Sequence, residues 1–301
     1  MHYKITHVTT YDYINMVGLS YNEARLMPRD CPNQRVISSS LSTQPHTTDF
    51  RIREDFFGNR VAYFSIQKPH NMFTVTAVSE VELTAIHNQI AVAQNSPWET
   101  VREKLIKAQV PFTKQTIELM DARQYTLDSP LISVSTALAA YALPSFTQGR
   151  SILDTVQDLM QRVHHDFTFD PDFTTLATPL ATVLEHRRGV CQDFAHLAIG
   201  CLRSHGLAAR YVSGYIETLP PPGQTKLVGA DASHAWLSVY VPELGWLDFD
   251  PTNNLLPSTQ HITLGWGRDY EDVTPLKGVI FGGQTHELAV SVHVECLSKS
   301  T

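Results

Sequence analysis

Gly189-Val190-Cys191-Gln192-Asp193-Phe194-Ala195-His196 places a cysteine where a turn at Arg188-Gly189 gives way to a helix. Phe194, Ala195, Leu197, Ala198, Ile199, Cys201 and Leu202 follow, covering more than one stripe of a helix that runs to about His205. A helix that is apolar on most sides is buried on most sides, so this one reads as the centre of a folded core. Downstream stand His234, in Asp231-Ala232-Ser233-His234-Ala235-Trp236, and Asp250, in Trp246-Leu247-Asp248-Phe249-Asp250-Pro251-Thr252. A thiol at a helix start, a histidine on one strand and an acid on the next are the parts of a nucleophile, a base and the group that orients it.

The physical case for Cys191 is local. A thiol attacks as its thiolate, and the partial positive charge and free N–H groups of a helix N-terminus favour that anion. The same N–H groups can hold the oxyanion of a tetrahedral intermediate. In the strand that follows, His234 and Trp236 share one face while Ala235, Leu237, Val239 and Val241 share the other and look toward the core. A carboxylate bonded to one ring nitrogen of His234 would fix its tautomer and leave the other nitrogen for the thiol. Asp250 and Asp248 both offer one; Asp250 lies nearer the strand end, where sites form, and Asp248 reads as a supporting or solvated group.

Strand period sets a constraint on this pairing. If Pro242 to Gly245 formed a four-residue hairpin loop, Val241 would pair with Trp246 and Asp250 would face away from His234. A loop of three or five residues, or a bulge, is therefore expected.

Working outward, Ser151-Ile152-Leu153-Asp154 carries a helix-cap signal, and Ile152, Leu153, Val156, Leu159, Met160 and Val163 mark one helical face. Thr178-Pro179 opens a shorter helix toward Arg188-Gly189. The catalytic core is drawn from residue 151 to 255, preceded by a helical connection at 91–150 whose first cap is Ser96-Pro97-Trp98-Glu99. Residues 1–90 read as β structure: Phe73 to Leu83 alternates with period two, and Val61 to Ile66 follows the turn signal Gly58-Asn59. Residues 256–301 form a C-terminal β extension ending in the alternating run His286 to Cys296, which is read as returning to the N-terminal sheet. The chain is thus α+β.

Composition narrows the functional classes. The 301 residues are 43% hydrophobic and 18% charged, ordinary values for a folded chain, and 23 basic against 30 acidic side chains give a net charge of −7. With no basic run beyond Arg187-Arg188, nucleic acid and anionic membrane surfaces are not expected partners. The start lacks a secretory pattern and no apolar stretch approaches the ~18 to 20 residues of a membrane helix. Four separated cysteines, Cys31, Cys191, Cys201 and Cys296, read as free thiols of a reducing compartment, so a cytoplasmic location is expected. Cys201 and Cys296 read as packing groups and Cys31 as an exposed bystander. His164-His165-Asp166, Asp170, Asp172 and His196 lack metal-ligand spacing and no calcium loop is present, so neither metal nor cofactor is expected.

The segments around Cys191, His234 and Asp250, together with Arg210-Tyr211-Val212-Ser213-Gly214-Tyr215, Asp250-Pro251-Thr252-Asn253, Gly267 to Val273 and Glu23-Ala24-Arg25-Leu26-Met27-Pro28-Arg29, resemble the bacterial transglutaminase-like family. The resemblance implies a papain-like, transglutaminase-core fold behind a β-rich N-terminal domain, with Cys191 as nucleophile, His234 as general base and acid, and Asp250 as orienter. It also implies attack on an amide carbonyl of a protein or peptide, with the thioester resolved by an amine or by water. Gln192, Asp193, Asp231, Trp236 and Asp248 are candidates for the substrate groove or for support of the triad. Animal transglutaminases place a tryptophan ahead of the nucleophile as an oxyanion donor, whereas this chain has tryptophan only at 98, 236, 246 and 266. The second donor is therefore unassigned. A cysteine peptidase or amidase is the alternative enzyme, and a non-catalytic binding module on the same fold is the alternative of a different class.

Overall fold

The computed structural model describes all residues except 48, 86–92, 108–112, 176–177, 219–230, 232 and 299–301. The boundary drawn near residue 90 lies outside the described residues.

Alternation of buried and exposed side chains builds the N-terminal sheet. Strand β1 (His2–Ala24) buries Tyr3, Ile5, His7 and Thr9 in turn, and the strand order is completed by β2 (Gln34–Gln44), β3 (Asp49–Glu54), β4 (Arg60–Ile66) and β5 (His70–Leu83). In β5 the odd positions Phe73, Val75, Ala77, Val81 and Leu83 are buried, as the period-two reading required. The backbone turns between β3 and β4 at Gly58, whose φ of 73° is open to glycine at no steric cost.

The helical segment comprises α1 (Trp98–Lys107), α2 (Lys114–Arg123) and α3 (Thr136–Ala142). Helix α1 begins one residue beyond Pro97, and Glu99 accepts a hydrogen bond from the Gly149 N–H. Helix α4 (Ile152–Asp166) is capped by Ser151, whose hydroxyl accepts from the Asp154 N–H, and it buries the six apolar residues read as its inner face. Strand β6 (Thr168–Phe169), helix α5 (Leu180–His186) and strand β7 (Arg188–Gly189) lead to α6 (Cys191–Ser204).

Helix α6 is buried along most of its length, from Asp193 to Arg203. Its residues Ala195, Ala198, Ile199 and Leu202 join one core cluster with Ala235, Leu237, Val239 and Val241. Those four come from β9 (Ser233–Val241), which lies in an antiparallel sheet ordered β10-β9-β8-β11 with β8 (Ala209–Ile216), β10 (Gly245–Phe249) and β11 (His261–Gly267). A central helix on an antiparallel sheet, set beside a separate β domain, is the α+β, papain-like arrangement that the resemblance implied.

The last strands, β12 (Leu276–Gly282) and β13 (His286–Ser298), both pair antiparallel with β1, making a sheet of seven strands. The alternating tail therefore does return to the N-terminal sheet. Val292 and Val294 of β13 pack with Tyr3 and Ile5 of β1 and with Tyr215, Ile262 and Leu264 of the β10-β9-β8-β11 sheet, so one apolar cluster joins the two sheets. Among the described residues, no helix is long and apolar enough to cross a membrane.

Candidate active site

The site forms where the start of α6 meets β9 and the end of β10. Gly189 is required here because a Cβ would stand 2.7 Å from the Asp193 carboxylate. That carboxylate folds back over the turn, accepting from the Val190 N–H at 2.8 Å and from the Thr174 hydroxyl at 2.7 Å. Burial pushes the Asp193 carboxyl upward, against the pull of these two hydrogen bonds. Asp193 thus fixes the first turn of the helix, leaving Cys191 half-buried at its head with Gln192 half-buried beside it. Tyr211 lies near Cys191, and burial holds its hydroxyl well above the ordinary range and hence protonated.

The hairpin register decides the partners of His234. Gly245 pairs with Val241, which leaves a three-residue loop, and Trp246 pairs with Tyr240 and Asp248 with Ser238. His234, Trp236, Ser238, Asp248 and Asp250 consequently share one face, and the expected odd-length loop is what the chain adopts. His234 Nε2 lies 2.7 Å from Asp250 Oδ2, with both side chains buried. This occupies Nε2, and the Cys191 thiol acts on the same imidazole. Burial alone would lower the imidazole, but the hydrogen bonds to Asp250 and Cys191 outweigh it and push the group up to about 9.

Asp250 is wholly buried and held by five donors. Oδ1 accepts from the Thr252 and Asn253 N–H groups at 3.0 and 3.2 Å; Oδ2 accepts from His234, from Asn253 Nδ2 at 2.7 Å and from His261 Nε2 at 3.0 Å. Burial acts to raise this carboxyl, yet the histidine hydrogen bonds hold it well below the usual carboxylate range. The backbone closes the same turn, since Asp250 and Leu255 exchange N–H to C=O hydrogen bonds at 3.0 and 3.3 Å.

The remaining candidates have defined places. Asp248 accepts from Trp236 Nε1 at 3.2 Å and from the Ser238 hydroxyl. It anchors the strand beneath His234 and does not reach the imidazole. Trp236 is fully buried, its ring 5.2 Å from that of His261. Asp231 is buried away from the triad, accepting from the Thr218 N–H at 3.0 Å and the Val294 N–H at 2.7 Å, and so ties the entry to β9 to strand β13. His196 is buried; burial lowers it to about 4, and its Nε2 accepts from the Tyr270 N–H at 3.1 Å. Trp98 packs against Phe146, and Trp246 and Trp266 stack on Arg210.

Sequence reasoning missed His261 and the side chain of Asn253. His261 opens β11 as a lone histidine ahead of an apolar run, a pattern that carries no signal of its own until β11 is known to flank the site. Asn253 lay inside a quoted motif, but its amide could be placed only by the turn. Cys31 also differs from its reading: it is half-buried, its thiol donates to Asn33 Oδ1 at 3.2 Å, and burial pushes it up to about 11.

Among the described residues, one group is close enough to hold a metal ion, namely His234, Asp250 and His261, whose ligand atoms lie within 4.8 Å of one another. The same atoms already form a closed hydrogen-bonded set in which both imidazoles donate to one carboxylate oxygen. His164, Asp166 and Asp170 disperse instead to Thr252, Tyr141 and Arg188.

Two family models match this chain: the bacterial transglutaminase-like N-terminal region over residues 3–82, and the transglutaminase-like superfamily core over residues 141–251. The chain belongs to the transglutaminase-like superfamily. An uncharacterized protein of Mycobacterium tuberculosis is 38% identical over 301 residues, spanning 97% of this chain and 92% of its own length. A protein-glutamine gamma-glutamyltransferase of Pseudomonas aeruginosa is 35% identical over 106 residues, covering 34% of this chain and 16% of that one. The structure of a protein from Cytophaga hutchinsonii, provisionally described as a cysteine protease, superposes with a TM-score of 0.76 at 19% identity, covering all of this chain and 92% of that one. It establishes that this member of the superfamily shares that fold.

Proposed function

We propose that this transglutaminase-like chain is a cysteine acyltransferase or hydrolase acting on amides of proteins or peptides, with Cys191, His234 and Asp250 as its catalytic triad. The carrying observation is the alignment of a thiol at the head of α6, an imidazole raised to about 9, and a buried carboxylate 2.7 Å from the far ring nitrogen. A raised imidazole stays protonated at neutral pH and stabilises a thiolate beside it. The thiolate attacks the amide carbonyl, and the oxyanion faces N–H groups of the first helical turn, which have no partner within the helix. The His234 imidazolium then protonates the departing amine as the C–N bond breaks, leaving a thioester on Cys191. In the second half, neutral His234 takes a proton from an incoming amine or water, whose attack releases Cys191.

An amine acceptor gives acyl transfer; water gives amide or peptide hydrolysis. The kinship with a gamma-glutamyltransferase over the core supports a glutamine side chain as donor. Free thiols and a net charge of −7 support a cytoplasmic setting without nucleic acid as partner. Incubation with a glutamine-containing peptide and a labelled primary amine tests the reading. Label incorporation supports transfer, and a new N-terminus or released ammonia supports hydrolysis. Failure of both, together with failure of a thiol-directed probe to label Cys191 at neutral pH, would leave a binding module.

A further inference from the structure

Among the described residues, Cys191 and His234 stand outside one well-formed cavity. That cavity, of about 720 Å³, lies further along the face of the catalytic sheet that carries Asp248, and it is closed by Phe57 from the N-terminal domain and Tyr125 from the helical segment. Its size falls in the range of small-ligand sites. Arg210, from the quoted Arg-Tyr-Val-Ser-Gly-Tyr motif, lines it at 8% exposure. The guanidinium lies between two indoles, 4.2 Å from the ring centre of Trp246 and 3.7 Å from that of Trp266. Arg29 covers the same Trp266 ring at 3.4 Å.

Two indoles pack on the Arg210 guanidinium, whose donors lie along its edge. Among the described residues, Nε of Arg210 is buried without a hydrogen-bond partner. Asp248 is near enough to act on its charge, but both Asp248 oxygens already serve Trp236 and Ser238. A buried cation with an idle donor is costly unless something anionic meets it. The mouth carries the opposite sign: Glu118, Asp121 and Glu243 all line the cavity and are exposed. Glu118 and Asp121 both act on the charge of Tyr240, a cavity residue, so they flank the same opening. Glu243 also pairs with Lys104 at 2.7 Å.

A buried cation in the wall, aromatic sides and an acidic mouth describe a ligand that is anionic at one end, apolar in the middle and cationic at the other. We propose that this cavity is a second binding site, separate from the triad, for a zwitterionic aromatic amino acid or short peptide, whose carboxylate is held by Arg210 and whose ammonium group faces Glu118 and Asp121. A planar guanidinium edge suits a carboxylate, which can accept two parallel hydrogen bonds from it.

The test uses full-length protein carrying Cys191→Ala, so that nothing is turned over, with the dipeptide Leu-Phe titrated calorimetrically beside its C-terminal amide and its N-acetyl form. The expected result is binding of Leu-Phe at least tenfold tighter than of the amide and several-fold tighter than of the N-acetyl form. Adding Arg210→Met should abolish the preference for the free carboxylate. Adding Glu118→Gln and Asp121→Asn, both at exposed positions, should abolish the preference for the free amine while leaving the carboxylate preference intact. Should Arg210→Met fail to fold, the comparison of dipeptide with amide and the exposed double variant still decide the matter. Equal affinity for dipeptide and amide, no measurable binding, or unchanged preferences in the folded variants would overturn the proposal.

Discussion

His261 shares a carboxylate oxygen with the histidine of the triad: its Nε2 lies 3.0 Å from Asp250 Oδ2, the atom that His234 reaches at 2.7 Å. Two imidazoles and the Asn253 amide thus converge on one oxygen. The rotational position of the carboxylate, and through it the aim of His234, is set from several sides.

Removing His261 should therefore impair catalysis without touching the thiol. For His261→Phe we expect kcat/KM to fall about 10- to 100-fold, since a hydrogen bond to a charged group is worth roughly 1.5–3 kcal/mol and about 1.4 kcal/mol is a factor of ten. The pH dependence should move with it, because one support of the low Asp250 carboxyl is gone. Steady-state kinetics of wild type and variant across pH would check this, and an unchanged profile would remove His261 from the positioning role.

In the mechanism we propose, the raised His234 imidazole sets the alkaline limit. Cys191, Asp250 and His261 are the titratable groups around it, and the imidazolium is the form that protonates the leaving amine. kcat/KM should hold through neutral pH and decline as pH rises through about 9. Because the folded-state imidazole lies above its ordinary 6.5, its contribution to stability is fully present below pH 6.5 and is lost between 6.5 and about 9. In Asp250→Asn the limb should shift toward 6.5 and the rate should drop by about 10⁴-fold, as happens when an orienting carboxylate is lost from a triad.

Gly214 sits where no side chain fits. A Cβ there would stand 2.1 Å from the Ile262 carbonyl oxygen and 2.5 Å from the Trp236 ring. For Gly214→Ala we expect a loss of about 3 kcal/mol or more, seen as a fall in Tm of about 10 °C, because backbone and a fully buried indole cannot both yield. Thermal unfolding followed by circular dichroism reads this directly; a Tm within 2–3 °C of wild type, a roughly threefold smaller effect, would contradict the crowding argument.

Asp193 holds the first turn of α6 through the Val190 N–H, so Asp193→Ala should cost about 1–2 kcal/mol of stability, the usual range for a lost helix cap. It should also slow alkylation of Cys191 by iodoacetamide at neutral pH, since the helix start that presents the thiol would fray. Chemical denaturation paired with labelling kinetics measures both, and full labelling speed in a destabilised variant would separate the cap from the thiol.

Much of this was legible in the chain, and the limits have physical causes. Period two in Phe73–Leu83, the apolar stripes of α4 and α6, and the parity argument on Pro242–Gly245 rest on local geometry that any register must obey. They placed the helix of Cys191 and the strand of His234, and the choice of Asp250 over Asp248 leaned also on the Pro-Thr context of the resemblance. His261 and Arg210 depend on which strands become neighbours, and their contacts join residues far apart in sequence. Asp231 read as a groove residue because it stands near His234 in sequence, yet its carboxylate is turned to β13. Cys31 read as exposed because its neighbours are polar, whereas Arg210 and Asp248 from strands distant in sequence lie close to it.

Strand β1 has its principal partners at both ends of the chain, pairing with β5 from the first third and with β12 and β13 from the last. During synthesis, the residues of β1 must then wait for those of β13 before their sheet can be completed. Until the segment around Val292 and Val294 is released, Tyr3, Ile5 and Ile262 lack part of their apolar cover. A chain stalled before β13 would present that seam to the cell as an open, sticky edge.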